Sequence, residues 1–292
     1  MIGTYNKKVI NRVTQRLSPV VAKLSLEFSQ KQLKEPFFLI GSGRSGTTLL
    51  AGLLGMHRDV ANWAEANEIL DPQWYPWRPS NQHLLPMELD PVAFTQRWWN
   101  DAQQRQDEIR AIFGAYQWLQ QKPYFLNKSP FNTFRIPYLL EIFPTARFIH
   151  LTRDGRAVAF SYARKLQAEN KLGEWPEPQR TAFRESFDDL IMWLSAFWKE
   201  NVEEVAQQNA ALRLTENGVM LDLTYEELCL DPTGTLNRIC HFIGIDPKRF
   251  VSTIENVQIE KQNNKWKERL ESDLVAQMTT AMEPLLSQKN YS

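Results

Sequence analysis

Apolar positions along the chain follow two different periods. Short, mainly apolar runs occur at Phe37–Ile40 behind Pro36, at Ala146–Thr152 and at Gly218–Thr224. Runs of that length bounded by turn residues predict strands buried on both faces. Tyr124–Asn127 predicts a further strand end. Between these runs, apolar residues return at the helical interval. That spacing predicts helices over 46–57, 101–121, 131–143, 155–168 and 181–208, from Asp231-Pro232 to Phe242, and over 266–286. Near the N-terminus Val9, Val13, Leu17, Val20, Val21 and Leu24 share one helical face. They predict an amphipathic helix packed on the domain by that face, with a membrane-surface helix as the alternative. Residues 61–100 fit neither period. Trp63, Trp74, Trp77, Trp98 and Trp99 fall there among prolines, which predicts an irregular, aromatic-rich insertion.

Strands that alternate with helices predict an α/β fold: a central, mostly parallel sheet with helices on both faces, three layers in all. In such sheets ligands bind beyond the carboxyl ends of the strands. The chemistry should therefore sit just after each apolar run.

Composition narrows the picture in three places. The 34 basic and 34 acidic residues cancel, which argues against a general nucleic-acid binder and leaves room for a local basic pocket. The two cysteines, Cys229 and Cys240, form no CxxC pair and read as buried thiols in a reducing compartment. No run approaches 18 apolar residues, and the basic N-terminus lacks an apolar block long enough for a signal peptide. A cytoplasmic protein with no integral membrane segment is expected.

The stretch after the first run, Gly41-Ser42-Gly43-Arg44-Ser45-Gly46-Thr47-Thr48, has the makings of an anion cradle. Glycines let the backbone turn sharply and approach a ligand closely. The following helix points free N–H groups and a positive dipole end at the loop. Gly41 and Gly46 have the spacing of the ATP-binding loop G-x-x-x-x-G-K-[ST], yet Thr47 stands where that loop has lysine. The cation of this loop is Arg44. A kinase using ATP–Mg is thereby disfavoured, though it remains one alternative on this fold.

GSGRSGTTLL resembles the loop with which sulfotransferases hold the 5′-phosphosulfate of 3′-phosphoadenosine 5′-phosphosulfate (PAPS). The resemblance assigns Gly43, Arg44, Ser45, Gly46, Thr47 and Thr48 to that group. FIHLTRDGRAVAFSY, 148–162, is similar to the family's 3′-phosphate site, an arginine at a strand end and a serine eight residues later: Arg153 and Ser161. Arginine offers phosphate a charged fork of donors. MLDLTYEELCLDPTGTLNRICHFIGI, 220–245, resembles the family's late strand and helix, with Tyr225 beside the adenine. IEKQNNKWKERL, 259–270, resembles its C-terminal nucleotide-covering loop, with Lys261, Lys265 and Trp266 as the corresponding residues.

Two more segments resemble the tyrosylprotein-sulfotransferase-like and bacterial branch. HRDVANWAEANEI, 57–69, puts that branch's general base on Glu65. LNKSPF, 126–131, puts its catalytic lysine on Lys128. Asn67 stands where that branch has arginine to bind a peptide. The resemblance therefore implies transfer of the sulfuryl group from PAPS, leaving 3′-phosphoadenosine 5′-phosphate (PAP), to a hydroxyl or amine of a small-molecule or glycan acceptor. It implies one domain over 1–292, with 1–35 as the N-terminal helix and 61–121 as an acceptor-side insertion. Oligomeric state stays open.

Three jobs follow for such chemistry. Glu65, beside Trp63 and Ala64, would take the acceptor's proton in partly apolar surroundings, with Glu68 and His83 as competitors. Arg44 and Lys128 would hold the bridging oxygen and the leaving phosphate. Loop N–H groups with Thr47 and Thr48 would add preorganised donors. No metal is required. A non-catalytic PAP-binding protein would keep the nucleotide residues but tolerate loss of Glu65.

Overall fold

The computed structural model describes residues 2–34, 36–70, 105–169, 172, 179–250, 259–260 and 262–291, except the side chains of residues 2–10 and Glu68. At its centre lie β1 (Pro36–Ile40), β2 (Val60–Ala64), β3 (Tyr124–Lys128), β4 (Arg147–Thr152) and β5 (Met220–Thr224). They pair in the order β2-β3-β1-β4-β5, and every pair is parallel. Helices α1 (Ile2–Leu24) and α2 (Leu26–Gln32) precede β1, and α3 (Thr47–Leu54) joins it to β2. The turn α4 (Asn67–Leu70) and α5 (Gln106–Gln120) follow β2. A 3₁₀ turn, Pro130–Phe134, and α6 (Ile136–Ile142) lead from β3 to β4. Then α7 (Gly155–Ala168), α8 (Gln179–Glu185) and α9 (Phe187–Leu212) lead to β5. After β5 come α10 (Tyr225–Leu230), α11 (Pro232–Ile243), α12 (Ser272–Met282) and α13 (Leu285–Gln288).

The sheet is covered on both faces because its strands are apolar on both. Along β1, Phe38 and Ile40 enter one core with Ile109, Phe113 and Ile142 from α5 and α6. Phe37 and Leu39 enter the opposite core with Leu50, Leu54, Leu236 and Ile239 from α3 and α11. Burying each such side chain contributes about 2 kcal/mol. A third apolar cluster joins α7, α9 and α12 around Ala163, Leu194, Trp198 and Met278, and it also takes in Trp266.

The architecture is the expected three-layer α/β/α sheet, but four local expectations need correction. Residues 60–64, placed mostly in an irregular insertion, form the edge strand β2. Trp63 is only 2% exposed and packs edge-on against Phe113 and tilted against Tyr116, while the Asn62 amide donates to the Ala51 carbonyl at 2.8 Å. The helix expected over 181–208 is two helices, because the Ser186 hydroxyl accepts from the Asp189 N–H and caps a new start. Residues 264–270 turn rather than continue a helix, and α12 begins only at Ser272. Most of the Trp-rich stretch, 71–104, lies outside the described residues, and His83 with it.

The fourth correction concerns α1. It packs on the domain by the face opposite to the expected one. Thr14, Ser18 and Ala22 are buried, whereas Val13, Leu17, Val20 and Leu24 are exposed and Val21 is half-buried. Small and polar side chains let α1 approach α5 closely and satisfy its polar groups. Gln120 donates to the Thr14 hydroxyl at 2.6 Å, and the Tyr116 hydroxyl bonds the Asn11 side chain and the Asn62 carbonyl.

Candidate active site

Between β1 and α3 the chain makes a turn that demands glycine at two points. Gly41 has φ +138° and Gly46 has φ +94°. A Cβ on Gly41 would run into the Leu151 carbonyl, and one on Gly46 would lie 2.5 Å from the Tyr225 ring. The Leu50 N–H returns to the Gly46 carbonyl at 3.0 Å and closes the first turn of α3. The N–H groups of Thr47, Thr48 and Leu49 then have no acceptor within the helix, so this end favours an anion. The buried Ser45 hydroxyl has no hydrogen-bond partner among the described residues. An unsatisfied O–H inside a cradle of N–H donors fits a phosphate or sulfate oxygen.

The cradle opens into a cavity of about 530 Å³. Of the residues that the resemblance singles out, Arg44, Gly46, Thr47, Thr48, Arg153, Ser161, Tyr225, Lys265 and Trp266 line it. Arg164, Lys165 and Gln262 line it too and were not foreseen. Among the described residues five cations and no carboxylate face this space, the electrostatics of a polyanion site. Gly43 and Ser45 belong to the loop but do not line the cavity, and Lys261 lies outside the described residues.

Arg153 is the centre of the second subsite. It is 6% exposed, and its guanidinium lies 4.4 Å from the centre of the Tyr225 ring. Its Nε–H donates to Asn263 Oδ1 at 2.8 Å, and its two terminal nitrogens donate to the carbonyls of Arg44 at 3.0 Å and Gln262 at 2.8 Å. Of the five N–H groups of an arginine, two therefore remain. Burial lowers the Arg153 pKa, with Tyr225 and Glu226 opposing that shift, so a bound anion would relieve a desolvated cation. Ser161, on α7, accepts from Arg44 Nε at 3.2 Å, which brings both arginines and the serine into one cluster. Burial pushes the Tyr225 phenol up to about 12, so it stays neutral beside the site. Glu226, next in sequence, accepts from Asn263, from the Asp154 N–H at 3.2 Å and from the Tyr291 hydroxyl at 3.2 Å. It thereby ties the segment around Asn263 to the start of α7.

A separate pair sits where β2 and β3 end. The Lys128 ammonium, 2% exposed, is bonded to the Glu65 carboxylate, which is 55% exposed. The Glu65 N–H donates to the Lys128 carbonyl at 2.6 Å. Glu65 has φ +55°, which turns its side chain out of the strand. Among the described residues Glu65 lacks the apolar surroundings expected: Trp63 lies in the core, and the left-handed backbone at Glu65 breaks the strand alternation that would send its side chain the same way. Asn67 accepts a hydrogen bond from Ser129 at 2.8 Å and so braces the two loops that carry the pair.

Strand order turns these pieces into a row. Along the carboxyl edge of the sheet lie Glu65 after β2, Lys128 at the end of β3, the cradle after β1, Arg153 after β4 and Tyr225 after β5. A strand spacing of about 4.8 Å spreads the row over roughly 20 Å, the reach of an extended nucleotide and its reaction partner.

The sequence model of the sulfotransferase family matches residues 36–249, which carry the sheet and every one of these elements. The chain belongs to the sulfotransferase family. It is 32% identical over 164 residues to protein-tyrosine sulfotransferase 1 of Danio rerio, a match covering 52% of this chain and 44% of that protein. It is 26% identical to an omega-hydroxy-beta-dihydromenaquinone-9 sulfotransferase of Mycobacterium bovis, covering 72% of this chain and 63% of the relative. The chain thus spans less than two thirds of these curated relatives. Among solved structures, sulfotransferase STF9 from Mycobacterium avium superposes with a TM-score of 0.59 at 13% identity, over 93% of this chain and 81% of that one. That likeness establishes the shared fold.

Proposed function

We propose that the protein moves the sulfuryl group of PAPS to a hydroxyl or amine of a small-molecule or glycan acceptor, with Glu65 as general base. The observation that carries the reading is the order along the sheet edge: base, lysine, anion cradle, buried arginine with serine, tyrosine. Two anion subsites, one with the cradle and one with Arg153 and Ser161, suit a nucleotide charged at both its 5′ and 3′ positions. ATP has no 3′-phosphate for the second. The lack of a cradle lysine also speaks for a single terminal group rather than a triphosphate.

The residues present fit that donor. Ser45 has an unsatisfied hydroxyl in the loop, Arg153 has two donors to spare, and five cations line the cavity beside apolar and aromatic residues. When bound, PAPS supplies an activated sulfur whose bond to the 5′-phosphate oxygen breaks as the bond to the acceptor forms. Glu65 takes the acceptor's proton. As Glu65 becomes neutral it loosens its ion pair, and the Lys128 ammonium is released toward the leaving phosphate oxygen. Arg44 and the α3 N–H groups hold the charge that builds there. Tyr225 closes the adenine side, and Lys265 and Trp266 cover it. Two buried thiols, Cys229 and Cys240, suit the cytoplasm.

Turnover of PAPS to PAP, followed with phenol, alcohol, sugar and amine acceptors, tests the assignment. The wild-type protein should release PAP faster with an acceptor than without one. Glu65→Ala should lose about 10²–10⁴-fold of that acceptor-dependent rate. A Glu65→Ala protein that sulfates at the normal rate removes Glu65 from the base role.

A further inference from the structure

Helix α1 turns its apolar stripe away from the protein. Val13, Leu17, Val20 and Leu24 are 49, 45, 55 and 81% exposed. At the helical repeat these four side chains fall within a strip about 60° wide. Beside the strip, between it and the buried face, the same repeat places Arg12, Arg16 and Lys23 within about 40°. All three are exposed, and none has an ion-pair or hydrogen-bond partner among the described residues. Helix α1 contains no acidic residue, and Lys7 and Lys8 add to its positive charge. The next acid in the chain, Glu27, is paired with Lys31 at 2.6 Å. Past the end of α1 the exposed apolar surface includes Leu26 and Phe28, and Phe28 meets the exposed Trp118 edge-on at 5.6 Å.

We propose that this face docks the protein on an anionic lipid surface. An apolar stripe of this size is unfavourable in water, and whatever covers it must accept uncompensated cations at its border. A second copy of the chain meets the first condition and fails the second: packed antiparallel it sets the same arginines and lysine against each other, and packed parallel its α1 offers them no acid. A bilayer meets both. The stripe enters the boundary between headgroups and acyl chains, the cations remain at the anionic headgroups, and Trp118 is of the residue type that anchors there. No helix of the described residues is long and apolar enough to span a bilayer, so the contact is one of a helix lying on the surface. The inference uses no residue of the sulfuryl-transfer site and stands apart from that reading.

Flotation of the whole protein with phosphatidylcholine vesicles, with and without phosphatidylglycerol, tests it. The wild-type protein should float with the anionic vesicles only, and raised salt should release it. Arg12→Glu/Arg16→Glu/Lys23→Glu should weaken binding about 100-fold or more. Leu17→Asn/Leu24→Asn should abolish it. These side chains are exposed, so melting temperature and PAP binding should stay at wild-type values in both. Three results would overturn the proposal: no wild-type binding to anionic vesicles, binding that survives both variants, or a wild-type dimer broken by Leu17→Asn/Leu24→Asn without any vesicle binding.

Discussion

Five non-glycine residues among those described have positive φ: Arg44, Glu65, Gln121, Arg213 and Asn290. Gln121 and Arg213 cap the ends of α5 and α9, and Asn290 is of the residue type that tolerates this region. Arg44 and Glu65 end no helix. A left-handed backbone costs such a residue about 1–2 kcal/mol, so something must hold it. The Arg44 carbonyl is held by Arg153, and the Glu65 N–H by the Lys128 carbonyl. Both strained residues are thus fixed by other members of the proposed site, the pattern of preorganised groups rather than loose loops. Lys128 tests this at single-residue scale. Lys128→Met keeps the buried aliphatic stem and removes the charge. Turnover should fall about 10²-fold or more while PAP affinity changes only a few-fold. Equal losses in both would make Lys128 a binding residue only.

At the scale of elements, the sequence was most legible where burial was complete. β1 and β4 are buried on both faces and appear as mainly apolar runs, whereas the half-buried edge strand β5 shows through Met220, Leu221 and Leu223. β2 was hidden because Val-Ala-Asn-Trp-Ala carries an asparagine whose amide serves the backbone of α3, a tertiary use that no period predicts. Helix α1 is legible as a helix but not as to face: its apolar stripe predicts inward packing, whereas Thr14, Ser18 and Ala22 are the buried positions. The cradle was legible because its glycines and threonines answer to local geometry. Arg164 and Lys165 carried a weak signal: they lie one turn after Ser161 on α7 and so share its side of the helix. The role of Glu226 had none, because Asn263 and Tyr291 reach it only in the fold. The cradle's dependence on one glycine can be checked directly. Gly46→Ala should lower the melting temperature and weaken PAP binding at least 10-fold, because the new methyl strains φ and displaces the Tyr225 ring. Unchanged PAP affinity in that variant would place the nucleotide elsewhere.

At the scale of the whole molecule, the strand order does what the chain order conceals. Glu65, Lys128, Arg44, Arg153 and Tyr225 are scattered between positions 44 and 225, yet the β2-β3-β1-β4-β5 sheet lines their strand ends up side by side. The crossover that inserts β3 between β2 and β1 puts Lys128 between Glu65 and the cradle. Periodicity alone could assign the strands but not their order. The resemblance supplied the roles, and the sheet supplies the geometry in which one extended donor could meet them all. The account therefore rests on a ligand charged at both ends. Its most direct test is a thermal-shift titration with PAP, with 5′-AMP and ATP–Mg as controls. A ligand at 100 times its dissociation constant adds about 2.7 kcal/mol to the folded state, a shift of several degrees for a chain of this size. Stabilisation by PAP, with little from 5′-AMP and none from ATP–Mg, is the predicted result. Stabilisation by ATP–Mg with indifference to PAP would contradict the account and make the protein a nucleotide kinase on the same fold.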